Sequence, residues 1–154
     1  MHKDIAKVYG NKVRLRACGL CWNDGSLLMV NHKLITPTNF WAPPGGGIEF
    51  GMLAEETLKK EFREETGLIV APGKFLFGCE FIQDPLHSVE LFFEVRVLSG
   101  KLITGSDPEL PIIKDVKFMN SDEIQGLPPH ELHGIFQVVQ ELDELKTLSG
   151  FYRI

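Results

Sequence analysis

The sequence predicts an α/β domain in which a mixed β-sheet is flanked by helices, and three observations predict it. Apolar segments come in the order strands, helix, strands, helix, which packs helices against one sheet. Val89, Leu91, Phe93, Val95 and Val97 alternate with Glu90, Phe92, Glu94 and Arg96, the period-two pattern of a strand. Leu53 to Thr66 carries an apolar stripe at helical spacing and stops at Gly67, a natural C-terminal cap. The 154 residues, 44% hydrophobic and 24% charged, suit one domain over residues 1–154 whose core needs no disulfide or metal staple.

Val13 to Trp22 and Ser26 to His32 are apolar segments joined by Asn23-Asp24-Gly25. Asp-Gly between two such runs is a hairpin signal, so they are expected to pair antiparallel. After a loop over Lys33 to Asn39, the prolines and glycines of Phe40 to Gly47 are expected to exclude regular structure and to permit close backbone approach to a ligand. Beyond the helix, Phe75 to Ile82 reads as a strand ahead of the alternating run. Ser99 to Lys114, broken by Gly100, Gly105, Pro108 and Pro111, reads as a loop, and Val116 to Met119 as a short strand. Ser121 to Ile124 starts a helical turn. Leu132, Ile135, Phe136, Val139, Leu142 and Leu145 follow helical spacing, which predicts a C-terminal helix with one face on the sheet.

Sixteen basic against twenty-one acidic residues leave a formal net charge of −5, which argues against duplex nucleic acid as a partner. A polyanionic substrate would have to be met by local Lys or Arg, by backbone N–H groups or by a cation. Met1-His2-Lys3-Asp4 leads into no apolar run of signal-peptide length, and no run of about 18 apolar residues is present to span a bilayer. The expectation is a cytoplasmic protein with no membrane partner. Three cysteines, an odd number, argue against a disulfide framework. Cys18 and Cys21, three apart on a strand, point to opposite faces and read as buried thiols rather than zinc ligands.

The helix at 53–66 departs from an ordinary amphipathic pattern. With Glu61 set to zero on a wheel of about 100° per residue, Ala54, Leu58 and Phe62 fall between about 20° and 100° and mark the buried stripe. Glu64, Glu61 and Glu65 fall at about 300°, 0° and 40°, within or beside that stripe. A solvated face with i,i+4 pairs accounts for Glu55 with Lys59 and Glu56 with Lys60. It does not account for Glu61 with Glu65, a like-charge pair next to the core. Carboxylates crowded there, with no Arg or Lys on the same face, would take up protons or bind a divalent cation, and oxygen-only ligands favour Mg²⁺ or Mn²⁺ over zinc. The glycines at 45–47 lie just upstream.

Gly46, five residues, Met52, seven residues, then Lys60-Glu61-Phe62-Arg63-Glu64-Glu65-Thr66-Gly67-Leu68 resembles the Nudix box, G-x5-E-x7-R-E-U-x-E-E-x-G-U with U a bulky apolar residue. It departs from that pattern at Met52, where the family has Glu, and at Lys60, where it has Arg. The resemblance implies a Nudix-like α/β/α sandwich that hydrolyses the diphosphate bond of a nucleoside diphosphate linked to another moiety: a nucleotide, ADP-ribose or nucleotide sugar type of substrate. It implies Mg²⁺ or Mn²⁺ as cofactor, with Glu61, Glu64 and Glu65 as the acids that bind metal and activate water and Gly46 as a glycine of the metal site. It also implies a paired interaction lost at Met52 and Lys60, with Glu55 or Glu56 near enough to substitute for the missing carboxylate.

Members of the family take another acid from a loop beyond the box, and Asp107, Glu109 and Asp115 lie in a suitable region. Arg14 and Arg16 share a strand face and Lys33 ends the second strand; each could contact phosphate or simply be solvated. Phe40, Trp41 and Phe81 could stack on a base or belong to the core, and His32 and His87 read as structural or surface residues. A homodimer stays open. Two alternatives differ in class: a Nudix-fold module that binds a nucleotide metabolite without cleaving it, and an isoprenoid diphosphate isomerase, which would need a cysteine and a glutamate around one carbon. The loops at 34–40 and 102–111 carry no legible signature of substrate identity.

Overall fold

The computed structural model describes residues 2–154. A short helix α1 (Lys3–Tyr9) precedes β1 (Lys12–Asn23) and β2 (Ser26–His32), then the short strands β3 (Trp41–Ala42) and β4 (Gly45–Gly47), α2 (Ala54–Thr66), the long strands β5 (Leu68–Gln83) and β6 (Leu86–Gly100), β7 (Ile113–Met119) and α3 (Ser121–Gln125). Three 3₁₀ turns, Pro129–Glu131, Gly134–Gln137 and Leu142–Lys146, lead to β8 (Phe151–Arg153).

The sheet is mixed, in the order β3-β2-β1-β6-β5-β8, with β4 paired to β1 and β7 to β2. β1 runs parallel to β6 and β5 parallel to β8, whereas the remaining pairs are antiparallel. The expected hairpin forms through Trp22 opposite Leu27, with Asp24 and Gly25 at the positive φ angles such a turn requires. Successive β1 residues serve opposite layers. Ala17 and Cys21 pack with Leu58 and Phe62 of α2, and Cys18 and Leu20 pack with Ile124, Ile135 and Leu145. The two cysteines therefore face apart, as their spacing predicts, and all three thiols are free and buried.

Three expectations need correction, and one element was not expected. Gly45–Gly47 is a strand, since side-chain-free residues can lie close against β1, with Gly46 opposite Ala17. β5 begins at Leu68 rather than Phe75; register shifts around Pro72 and Phe75 interrupt the alternation that would have revealed it. No C-terminal α-helix forms. Pro128, Pro129 and Gly134 punctuate the segment, and His133 accepts from the Ile135 N–H, so the chain turns in 3₁₀ steps while Ile135, Leu142 and Leu145 still bury their side chains. Finally, α1 carries too few residues for a periodic signal, yet it docks Ile5 and Tyr9 onto Val30, Ile112 and Val116. None of the helices in the described residues is long and apolar enough to cross a membrane.

Candidate active site

α2 is fixed at both ends. The Leu53 N–H donates to Glu56 at 2.9 Å, and Gly67 closes the helix at φ 76°. Loop 101–112 then satisfies the carbonyls that the helix C-terminus leaves open: Ile103 N–H donates to Thr66, Gly105 N–H to Glu65 at 2.9 Å and Ser106 N–H to Glu64 at 3.0 Å. A Cβ at Gly105 would collide with the Glu64 carbonyl, so only glycine allows this approach. The docking of the loop sets Asp107 beside the acids of α2.

Those acids are buried. Glu65 is 1% exposed and Glu61 9%. The Gly46 backbone lies against the Glu61 carboxyl, where any side chain would collide. One oxygen each of Glu64 and Glu65 is buried without a hydrogen-bond partner, and no ion pair to Glu61, Glu64 or Glu65 is present among the described residues. Burial first, then the charges of Glu64 and Asp107, push the Glu61 carboxyl up to about 7. Burial and the charge of Glu61 raise Glu65 well above the carboxylate range. The negative end of the α2 dipole lies on the same side. Orphaned carboxylate oxygens around a side-chain-free strand fit a hard divalent cation, and the all-oxygen donor set fits Mg²⁺ or Mn²⁺.

The acids open onto a cavity of about 740 Å³. Glu61, Glu65, Gly46, Arg14, Arg16 and Glu109 all line it, but Lys33 and Asp115 do not. Lys33 is exposed and joins Ile112 only through its backbone, and Asp115 accepts from the Val116 N–H beside it, so neither is placed to meet a ligand. Glu64 belongs to the acid cluster without forming part of the cavity wall. Arg16 differs from expectation too. Its Nη1 donates to Glu90 at 2.8 Å and its Nη2 to the Gly45 carbonyl at 3.3 Å, so two of its nitrogens are held by the protein while Nε is buried without a partner. Phe40 and Phe81 stand on the wall, while Trp41 is a core residue beneath Lys117. His32 is a wall residue, 8% exposed; burial, and next the Arg16 charge, lower it to about 4.

Glu90, His133 and Tyr9 also stand at the site, none of them expected there from the sequence. Glu90 is 3% exposed and accepts from His133 Nε2 at 2.9 Å, from Arg16 and from the Cys18 thiol at 3.2 Å. Burial alone would raise its carboxyl, but His133 and Arg16 outweigh burial and hold it well below the usual carboxylate range. The signal was an acid in a strand whose buried face turns out to carry Glu90 and Phe92. Of the two departures, Lys60 acquires a partner. Lys60 Nζ lies 3.4 Å from Glu49, whereas Glu56 is spent on capping its own helix. Glu49 rather than Glu55 or Glu56 supplies the carboxylate beside Lys60.

A model of the NUDIX domain matches residues 12–142 of the chain. An ADP-ribose pyrophosphatase of Methanocaldococcus jannaschii is 34% identical over 112 residues, covering 71% of this chain and 63% of that protein. The nucleoside triphosphatase NudI of Salmonella heidelberg is 44% identical over 57 residues, 35% of this chain and 40% of that one. The matched segments thus span less than two thirds of the length of these relatives. Among solved structures, a MutT NUDIX hydrolase from Burkholderia pseudomallei superimposes with a TM-score of 0.68 at 18% identity, covering 88% of this chain and 98% of that one. A UDP-X diphosphatase does so with a TM-score of 0.67 at 19% identity, covering 93% and 68%. At these identities the superpositions speak for the fold.

Proposed function

The chain belongs to the Nudix family, and on that premise we propose that it is a pyrophosphohydrolase cleaving the diphosphate bond of a nucleoside diphosphate linked to another moiety, with Mg²⁺ or Mn²⁺ as cofactor. The observation that carries the reading is the pair of buried, unpartnered carboxylate oxygens of Glu64 and Glu65 on the helix whose Glu61 carboxyl packs against the Gly46 backbone. Glu61, Glu64 and Glu65 would hold the cation, with Asp107 as the acid from the loop. The chemistry such a cation supplies is screening of the diphosphate charge and positioning of water for in-line attack on phosphorus. Each residue then has a task. A carboxylate of the cluster, lifted by burial and like-charged neighbours, accepts the proton of the attacking water as the new P–O bond forms and the bridging P–O bond breaks. Arg14, on the cavity wall and without an acidic partner among the ion pairs of the described residues, meets a phosphate oxygen. Phe40 and Phe81 offer flat apolar surface to a base. ADP-ribose and nucleotide sugars are the first substrates to try, given the relatives' names.

A module that only binds a metabolite would leave the buried acids without a purpose. An isomerase finds no cysteine on the cavity wall, since Cys18, Cys21 and Cys79 are all core residues. The test is incubation with Mg²⁺ and nucleoside triphosphates, ADP-ribose, nucleotide sugars and dinucleoside polyphosphates, with product identification. Glu64→Gln and Glu65→Gln should each lower kcat on the best substrate by at least about 100-fold, the scale of losing a positioned charge or base. Wild-type rates in both variants would overturn the assignment.

A further inference from the structure

The family match begins at residue 12, so α1 lies ahead of it, yet α1 contributes Ile5 and Tyr9 to the cavity wall. Tyr9 is 6% exposed and joins two elements there. Its hydroxyl donates to Asp107 Oδ2 at 3.4 Å, and the Arg14 guanidinium carbon sits 4.0 Å from the centre of its ring.

We propose that Tyr9 is a positioning residue of the active site: its hydroxyl holds Asp107 beside the acids of α2, and its ring holds Arg14 toward the phosphates of the substrate. The inference rests on the hydrolase reading above, and it adds a substrate-organising role for α1. Arg14 has a long, rotamer-rich side chain and no carboxylate of its own among the ion pairs of the described residues. The face of an aromatic ring restrains a guanidinium without neutralising it, so the charge stays available to an anion. Asp107 lies in a loop with no regular structure of its own, anchored to α2 by the hydrogen bonds of Gly105 and Ser106. Within the loop the Glu109 N–H holds Asp107 Oδ1 at 2.8 Å, and the Tyr9 hydroxyl adds the contact to Oδ2 from outside the loop. The two contacts affect different kinetic constants: the hydroxyl acts through an acid of the cluster, and the ring through a phosphate contact.

Tyr9→Phe keeps the ring and removes the hydroxyl; Tyr9→Leu keeps an apolar side chain and removes both. Steady-state kinetics of wild type, the two variants, Asp107→Ala and Tyr9→Phe/Asp107→Ala on the best substrate make the test, with melting temperatures as the check on folding. Tyr9→Phe is expected to lower kcat by about three- to tenfold at unchanged KM, the scale of one hydrogen bond, and to have no further effect in the Asp107→Ala background. Tyr9→Leu is expected to raise KM by about five- to tenfold as well, and to weaken binding of α,β-methylene-ADP, a nucleoside diphosphate that cannot be cleaved, by the same factor in calorimetry. If wild type turns over substrate and Tyr9→Phe matches it, or if Tyr9→Phe acts equally with Asp107 present or replaced, the inference fails and the hydrolase reading stands. Tyr9→Leu with wild-type KM and analogue affinity also overturns it. If wild type cleaves nothing but binds the analogue and Tyr9→Leu weakens that binding, the hydrolase reading fails and the Arg14 half of the inference stands. A wild type that neither cleaves nor binds overturns both.

Discussion

Replacing Glu90 by Gln probes the polar network beneath the cavity at nearly constant shape. Glu90 accepts from three donors, His133 Nε2 at 2.9 Å, Arg16 Nη1 at 2.8 Å and the Cys18 thiol at 3.2 Å, and its side chain is 4% exposed. A glutamine offers one acceptor oxygen, so its NH₂ group must face His133 or Arg16, donor against donor. Arg16, whose side chain is only 20% exposed, simultaneously loses its one anionic partner. Removing one member of a buried ion pair costs about 3–5 kcal/mol, and the oxygen that glutamine retains recovers part of it, which leaves about 3 kcal/mol. That corresponds to a shift of roughly 100-fold in the folding equilibrium. The sign with pH follows from the depressed Glu90 carboxyl. Its stabilisation is fully present above the unfolded carboxylate range and is lost as pH falls through that range toward the lower folded value, so the gap between wild type and variant should shrink below about pH 4. Equilibrium urea denaturation followed by Trp22 and Trp41 fluorescence measures the difference at pH 7 and at stepwise lower pH. A difference under about 1 kcal/mol at pH 7, or one that does not change with pH, would refute the network as a source of stability.

The raised Glu61 and Glu65 carboxyls act with the opposite sign: their contribution is fully present below the unfolded value and is lost as pH rises through about 7 and beyond, so the metal-free protein should lose stability over that window. Mg²⁺ should therefore raise the melting temperature by about 5 °C or more at pH 8 and hardly at pH 5, a contrast that scanning fluorimetry reads directly. Activity at saturating Mg²⁺ should rise above neutrality, and a pH–rate profile peaking near about pH 5 would contradict the acid cluster. Met52→Glu combined with Lys60→Arg should raise kcat/KM by more than the product of the single changes; strictly multiplicative effects would mean that the Glu49–Lys60 contact already does the work of the missing pair.

The acid cluster and the strand alternation were legible because their signals are local: helical period places Glu61, Glu64 and Glu65 beside Phe62, and strand period sends Cys18 and Cys21 to opposite layers. Gly46 was legible only through the family resemblance, and the structure supplies the physical reason: the glycine strand meets Glu61 only where no side chain intervenes. What the tertiary structure decided depends on contacts far apart in sequence. Arg16 and Glu90 stand 74 residues apart and meet because β1 and β6 are parallel neighbours, and Tyr9 and Asp107 stand 98 apart and meet because loop 101–112 docks on the carbonyls of α2. The C-terminal segment makes the complementary point. Its helical spacing set which residues are buried, but the prolines, Gly134 and the His133 cap chose 3₁₀ turns, because burial needs only a matching face whereas an α-helix also needs an unbroken hydrogen-bond ladder.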